Sequence, residues 1–173
     1  MRGRSARPRG WRPQTLRGIL VAVGLIVVAL VVERVIPPLT GAVRVADGDS
    51  LEVAGERVRL DGVDAPELHQ SCGEGAKEWP CGAEARAALE ALVARGAVSC
   101  RPVDEDRYGR AVSVCSVDGA DIGAALVRQG WAVALGLAYR AEERAAQAAG
   151  AGIWSGRFER PAEWRARHPR PAE

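Results

Sequence analysis

Carboxylate side chains are concentrated in one short stretch of this chain, where their types and spacing suit cation binding. Five of them lie within twenty-one residues: Asp47, Asp49, Asp61, Asp64 and Glu67. So many negative charges would repel one another unless a cation intervened, and oxygen ligands on loops suit calcium. Arginine binds a phosphate through paired hydrogen bonds, which lysine does less well. Two of the arginines in the stretches 59–67 and 106–110, each of which contains a predicted turn, could therefore bind a phosphate beside the cation.

Each motif by itself is weak evidence for function. Asp47-Gly48-Asp49 alone predicts only a turn, and the stretch 106–110 (Asp-Arg-Tyr-Gly-Arg) alone predicts a charged hairpin tip. Asp47 and Asp61 are interpreted as turn or structural residues rather than ligands. Tyr139 has the chemistry to stack on a base, but we interpret it as a packing residue at the start of a helix. Only the ordered combination of motifs favours an enzyme.

Alternating apolar residues after Val43 predict the strands that must position these side chains. Placing Leu51 opposite Leu60 and Val53 opposite Val58 leaves 55–56 as a two-residue type II′ turn.

The same strand alternation places Asp49 and Arg59 on opposite faces of the hairpin. We therefore expect a bulge or bend at Gly48 that re-aims Asp49 towards Arg59. A regular, unbent strand through this region would contradict the assignment of Asp49 to the site.

The four cysteines predict two disulfides. A second hairpin, bending around 107–108, brings Cys100 across from Cys115, as a cross-strand bond needs. Cys72 and Cys81 then pair by elimination. An even count indicates an oxidising compartment, whereas the lack of a C-x-x-C pair argues against zinc.

Helical patterns occupy the rest of the sequence. They cover residues 83–95, then a helix capped by Asp121 and running to 129, then 140–149, with a short helix at 162–167 in the tail. Strands, a helix, strands and then helices predict a small barrel with helices packed on it.

The N-terminal residues differ sharply in charge from the remainder. Residues 1–40 contain seven arginines against Glu33 alone, a net +6, whereas the remainder has 17 basic and 21 acidic side chains, a net −4. An uncharged apolar run at 19–32 follows the arginines and has the form of an export signal or membrane anchor. Because no convincing cleavage site follows, we expect an uncleaved anchor with its arginine-rich end inside, the alternative being secretion after signal cleavage.

The predicted organisation has five parts. They are an arginine-rich cytoplasmic arm (1–18), a signal anchor (19–36), a linker (37–42), a folded domain (43–154) and a C-terminal tail (155–173).

In their order and spacing, the motifs resemble the thermonuclease (staphylococcal nuclease-like) family, in its cysteine-containing exported type. The resemblance covers Val43 to about Trp154 and rests on stretches 45–50, 58–67, 106–110 and 125–130. It implies an α+β fold, a five-stranded OB-fold barrel with about three packed helices, preceded here by an N-terminal hydrophobic helix. It also implies calcium-dependent hydrolysis of DNA and RNA.

Carried over residue by residue, the resemblance assigns roles to three groups. Asp49, Asp64 and the Ala65 backbone carbonyl look like the Ca²⁺ ligands. Glu67 looks like the residue that activates water, with Arg59 and Arg110 stabilising the charged transition state. Tyr108 and Arg107 match substrate-contacting positions. The loop from Gln70 to Gly82 departs from the family pattern, so substrate contacts there are not transferred.

Two principal functions from different classes follow. One is a monomeric endonuclease, a phosphodiesterase acting on nucleic acid outside the cytoplasm and attached to the membrane by its N-terminal segment. The other is a catalytically silent module of the cell envelope that binds nucleic acid or protein. Silent relatives usually lose the catalytic residues, and this chain keeps them. A third reading, an envelope assembly factor, draws on the anchor and on relatives associated with exopolysaccharide synthesis.

Overall fold

The computed structural model describes residues 13–35 and 37–169, and the side chains of 13–16 and 29–35 lie outside the description. The chain divides into two units, Met1–Pro37 and Pro38–Glu173. The first contains helix α1, Pro13–Val35. Most of the predicted arginine-rich arm lies outside the described residues.

Apolar side chains of α1 are exposed from Ile19 to Val28. The described part of the chain contains no helix long and apolar enough to cross a membrane. Ile36 and the side chains of 29–35, which belong to the predicted anchor, lie outside that part.

The second unit mixes strands and helices. In chain order they are β1 Leu39–Thr40, β2 Val43–Val45, β3 Ser50–Val53, β4 Glu56–Leu60, β5 Val63–Asp64, α2 Cys81–Val93, β6 Val98–Glu105, β7 Ala111–Val117, β8 Ala120–Asp121, α3 Ile122–Arg128, β9 Val133–Ala134, α4 Arg140–Ala149 and α5 Pro161–Arg167. Short 3-10 turns occur at Gly75–Lys77 and Gly152–Ser155.

The five strands longer than two residues follow the order β2-β3-β4-β7-β6. Neighbours are antiparallel except for β4 and β7, which are parallel. Two-residue strands extend this sheet, β1 beside β6 and β8 beside β7, and β5 and β9 form a separate pair. The mixed α+β architecture is confirmed, and the strand order fits the expected five-stranded, partly open barrel.

The register of the β3-β4 hairpin differs from the predicted one. Leu51 pairs with Val58 and Val53 with Glu56, so the loop is 54–55. Both loop residues have positive φ, 52° at Ala54 and 90° at Gly55, as a type I′ turn requires. The prediction was wrong because alternation fixes which face a side chain occupies but leaves the register free in two-residue steps.

The predicted bend at Gly48 is confirmed and is sharper than expected. The chain reverses between β2 and β3, so that Val45 pairs with Leu51 and residues 46–49 form the turn. A Cβ atom at Gly48 would lie 2.7 Å from that of Ala65 and 2.9 Å from that of Ala85. Glycine therefore lets this turn pack against the β5 loop and α2.

Both predicted disulfides are present. Cys100 and Cys115 are register partners across β6 and β7, and Cys72 is bonded to Cys81. The first bond lies in the main apolar core, which the sheet shares with α2 and α3. The second belongs to a smaller buried cluster with Val133 and Ile153, against which Phe158 packs. The residues after α4 are thereby attached to the disulfide loop.

Candidate active site

The turn at Gly48 and strand β4 bring Asp49 and Arg59 into direct contact. Arg59 Nη2 lies 2.8 Å from Asp49 Oδ2, and Arg59 Nη1 donates to Asp49 Oδ1 at 3.2 Å. The Asp49 carboxylate also accepts hydrogen bonds from the Ser50 hydroxyl at 2.9 Å and the Ala65 N–H at 3.3 Å. Only 4% of Asp49 is exposed, so its charge depends on these donors.

Strand β5 and the loop after it supply the other predicted carboxylates. Asp64, 2% exposed, accepts a 2.9 Å hydrogen bond from Arg59 Nη2 through Oδ1. Arg59 therefore bridges Asp49 and Asp64. Glu67 follows on the loop and is less buried, its side chain 18% exposed.

Arg110 joins the same cluster from the start of β7. Its Nη1 donates to the Ser50 hydroxyl at 3.2 Å, and that hydroxyl donates to Asp49. Asp106 holds the other edge of the guanidinium, accepting from Nε at 2.7 Å. Burial raises the pKa of Asp106, but hydrogen bonds from the Arg110 N–H and guanidinium and from the Tyr108 N–H outweigh it and leave the pKa below its ordinary value.

A third arginine, which the sequence reasoning missed, enters the site from α5. Arg165 Nη1 lies 2.9 Å from Asp64 Oδ1 and 3.0 Å from Glu67 Oε1, and Nη2 lies 3.1 Å from Asp64 Oδ2. Hydrogen bonds to Asp64 raise the pKa of Arg165, against the opposing effect of burial. Arg165 lies 101 residues after Asp64 in the sequence, so no local motif could have pointed to it.

Gln70, two residues before the Cys72–Cys81 disulfide, is a second residue that the sequence reasoning missed. It is 1% exposed, its Oε1 accepts from the Glu67 N–H at 3.2 Å, and its Nε2 donates to the Glu159 carbonyl at 2.8 Å. Gln70 thus connects the backbone of the Glu67 loop to the segment that leads into α5. Its only sequence signal was its place in the loop that departs from the family pattern.

The predicted substrate-contacting residues lie at the tip of the β6-β7 hairpin. Tyr108 is 59% exposed, and the Arg107 guanidinium carbon lies 4.9 Å from its ring centroid. The Arg110 guanidinium carbon is 5.8 Å from the same centroid. The hairpin therefore places an exposed aromatic ring next to one of the arginines of the site.

The side chains of Asp47 and Tyr139, which were interpreted as structural, make structural contacts. Asp47 Oδ1 accepts from the Asp49 N–H at 3.1 Å, as in a turn. At Asp61 the contact belongs to the backbone, whose N–H donates to the Ser113 carbonyl at 2.9 Å. The Tyr139 hydroxyl donates to Asp121 Oδ2 at 3.0 Å, and Asp121 caps α3 by accepting from the Ala124 N–H.

The electrostatics of Asp49 bear on whether the site suits a cation. The pKa of Asp49 is raised to about 7: burial is the largest cause, the charges of Asp47 and Asp64 add to it, and Arg59 and the Ser50 hydrogen bond oppose it. The nearby donors therefore do not fully offset the cost of burying the charged carboxylate, and a bound cation would lower that cost. The side-chain ligands available are carboxylate oxygens, which suit calcium, so the donor types fit.

In the structure, the carboxylates of Asp49 and Asp64 are oriented towards arginines. Among the residues that the structure describes, no three of His, Cys, Asp or Glu are grouped so that they could hold a metal ion. Asp49 and Asp64 each direct oxygens at a guanidinium.

Comparison with known sequences agrees with these motifs. The sequence model of the family described as "Staphylococcal nuclease homologue" matches residues 57–156, more than half of the chain. Arg59, Asp64, Glu67 and Arg110 lie inside the matched range, whereas Asp49 precedes it and Arg165 follows it.

Three curated proteins are similar to this chain. It is 42% identical over 125 residues to "Succinoglycan biosynthesis protein ExoI" of Rhizobium meliloti (strain 1021), covering 68% of this chain and 65% of that protein. It is 37% identical over 117 residues to "Protein ParB" of Escherichia coli, covering 60% and 59%. It is 34% identical over 127 residues to "Probable staphylococcal-like nuclease CAN1" of Oryza sativa subsp. japonica, covering 69% and 35%. The chain spans less than two thirds of each relative.

Proposed function

Because the chain belongs to the family of staphylococcal nuclease homologues, we propose that it is a calcium-dependent endonuclease that hydrolyses phosphodiester bonds of DNA or RNA. The main support is that Arg59 bridges Asp49 and Asp64, while Glu67 and Arg110 are connected to the same two carboxylates through Arg165 and Ser50. A structural hairpin would not need this combination of buried carboxylates and arginines.

Each group has a distinct part in the proposed reaction. Glu67, the most exposed of the three carboxylates, accepts a proton from the attacking water. Arg59 and Arg110 donate to the phosphate oxygens, where negative charge grows in the transition state. Asp106 and Ser50 keep the Arg110 guanidinium oriented, which reduces the entropy lost on binding phosphate.

Calcium would be held by Asp49, Asp64 and the Ala65 carbonyl, where it would supply positive charge to the phosphoryl oxygen. The raised pKa of Asp49 supports this assignment, since a divalent ion favours the charged carboxylate that burial disfavours.

We place this activity outside the cytoplasm. Two disulfides support an oxidising compartment. The apolar side chains of residues 19–28 support membrane attachment, with secretion after signal cleavage as the alternative.

The test uses the second unit, Pro38–Glu173, with its disulfides formed. It begins at Pro38 because β1, Leu39–Thr40, pairs with β6 and belongs to the sheet. Single-stranded DNA and RNA are incubated with calcium or with chelator. Glu67→Gln should reduce the cleavage rate by about 10²- to 10⁴-fold, the usual contribution of a general base. Glu84→Gln, an exposed change of the same type on α2, is the matched control and should leave the rate unchanged.

The alternative is a silent binding module. It is supported by Arg165, which contacts two of the proposed working carboxylates, and by the biosynthetic name of one relative. Intact substrate in every condition, from folded wild-type protein, would favour that module over the nuclease.

A further inference from the structure

Arg165 contacts two carboxylates of the proposed site from outside the family-matched range. Its guanidinium forms a bidentate pair with Asp64, and Nη1 extends the contact to Glu67 at 3.0 Å. Bidentate pairing is the geometry in which arginine binds a carboxylate most strongly.

The segment before α5 is anchored independently of this contact. The Gly73 N–H donates to the Arg157 carbonyl at 2.8 Å, and Gln70 Nε2 donates to the Glu159 carbonyl at 2.8 Å. Pro161, the first residue of α5, is buried, whereas the Arg165 side chain is 38% exposed. The Arg165 side chain can therefore move away from Asp64 while the first residue of α5 stays packed.

Asp64 has little capacity for a further ligand while Arg165 is bound. A carboxylate offers about four lone-pair sites. Three are used here by hydrogen bonds, one from Arg59 and two from Arg165. A cation that binds Asp64 directly must compete with these donors for the same oxygens.

The charges are compatible with an exchange. Three carboxylates, Asp49, Asp64 and Glu67, face the guanidinium groups of Arg59 and Arg165. A divalent ion that replaces Arg165 would, together with Arg59, balance these three carboxylates.

We propose that Arg165 is an intramolecular competitor of the divalent cation. Its guanidinium and the ion occupy Asp64 in turn, and displacement of Arg165 also releases Glu67, so that α5 restrains the site until the ion displaces Arg165. This inference rests on the proposed function, because it takes Asp64 as a cation ligand. Arg165 is thus a regulatory side chain and not a catalytic residue.

Calcium titration of the full-length, disulfide-bonded protein tests the competition. Calorimetry with calcium alone, without nucleic acid, is done on wild type, Arg165→Gln and Arg167→Gln. Arg167 lies on the same helix and pairs with Glu159, away from Asp64, so its replacement makes the same charge change elsewhere. The apparent dissociation constant is the intrinsic constant divided by the fraction of molecules whose site is open. We expect Arg165→Gln to bind calcium about tenfold or more tightly, and Arg167→Gln to match wild type within about twofold.

Hydrogen exchange of wild type gives a second readout that does not depend on a variant folding. Calcium should increase amide exchange in 162–168 and leave 70–73 protected, since α5 loosens while the disulfide loop stays in place. Equal or weaker calcium binding by Arg165→Gln overturns the proposal, as does unchanged exchange in α5.

Failure of this inference is distinguishable from failure of the proposed function. Calcium-dependent cleavage by wild type, with equal calcium affinity in all three proteins, overturns the competition and keeps the nuclease. Tighter calcium binding by Arg165→Gln without cleavage by any protein supports the competition and overturns the nuclease.

Discussion

At the scale of single residues, the site combines opposite charges in a place that water hardly reaches. Asp49 and Asp64 are 4% and 2% exposed, and each is paired with Arg59. Breaking such a pair from one side is costly because it leaves a buried charge without compensation. A residue of this kind serves the fold as well as the chemistry, so a loss of activity in an Arg59 variant would not by itself identify a catalytic role.

Tyr139 is a better subject for a residue-scale prediction, because its contacts lie with Asp121. Its hydroxyl donates to both oxygens of that carboxylate, at 3.0 and 3.2 Å. Burial raises the pKa of Tyr139, and the nearby charge of Asp121 and the hydrogen bond raise it further. An unfolded tyrosine ionises near pH 10. The stabilising contribution is therefore fully present below about pH 10 and is lost as the pH rises further, because the unfolded chain loses this proton first.

Tyr139→Phe should lower the free energy of unfolding by about 1 kcal/mol at neutral pH, through loss of the hydrogen bond. It should also reduce the amount by which the free energy of unfolding falls at alkaline pH. Urea unfolding at several pH values between 8 and about 11 measures both effects. Tyr108→Phe, at the exposed hairpin tip, is the control and should keep the wild-type alkaline loss. Identical alkaline losses in wild type and Tyr139→Phe would contradict the assignment.

The sequence assigned to one site the residues that belong to its motifs and missed those on a distant segment. Arg59 on β4 and Asp64 on β5 are five residues apart, so the short loop between these strands brings them together. Arg165 has no such relation to Asp64. It is one of several arginines in a tail rich in arginine and proline, and nothing in its spacing distinguished it from Arg167.

At the scale of elements, the sequence predicted where helices and strands lie more accurately than it predicted which strand residues pair. Helix α4, Arg140–Ala149, has the predicted bounds, because its residues are rich in alanine and Gly150 ends it. The β3-β4 register was two residues wrong, because Val58 and Leu60 are both apolar and either can face Leu51. In β6 and β7, by contrast, the predicted bend at 107–108 correctly paired Cys100 with Cys115, although the register shifts between Pro102 and Asp104, nearer the hairpin tip.

The two disulfides allow an element-scale prediction about the Glu67 loop. They close loops of sequence separation 9 and 15, so replacing either pair by alanine should cost about 3 kcal/mol in the chain-entropy model. Their functional effects should differ. A Cβ atom at Gly82, next to Cys81, would lie 1.8 Å from the Glu67 carbonyl oxygen, so the start of α2, which carries one end of the Cys72–Cys81 bond, packs directly against the Glu67 backbone.

We therefore expect Cys72→Ala with Cys81→Ala to reduce cleavage about tenfold more than Cys100→Ala with Cys115→Ala, a ratio that corresponds to about 1.4 kcal/mol in the activation barrier. The rates are compared at a temperature where circular dichroism shows that both variants are folded. Equal loss of activity in the two double variants would show that the Cys72–Cys81 bond stabilises the fold without positioning Glu67.

At the scale of the whole molecule, charge distribution bears on how nucleic acid would be bound. Residues 38–173 contain 17 basic and 21 acidic side chains, so the unit that carries the site has a net charge of −4. A net charge of this sign gives no overall attraction for a polyanion, so the proposed binding relies on local arginines. Salt dependence counts such contacts, because each neutralised phosphate of a single strand contributes about −0.7 to the slope of log affinity against log salt.

If Arg59 and Arg110 are the phosphate contacts, the slope for single-stranded DNA should be about −1.4. It is measured with residues 38–173 carrying Glu67→Gln, at fixed calcium, so that the strand is bound but not cut. Adding Arg110→Gln should make the slope shallower by about 0.7. Arg128→Gln is the matched control, since Arg128 is 68% exposed and pairs with Glu142 away from the site. A slope near −4 would instead require several further basic contacts, and an unchanged slope in Arg110→Gln would exclude Arg110 from phosphate binding.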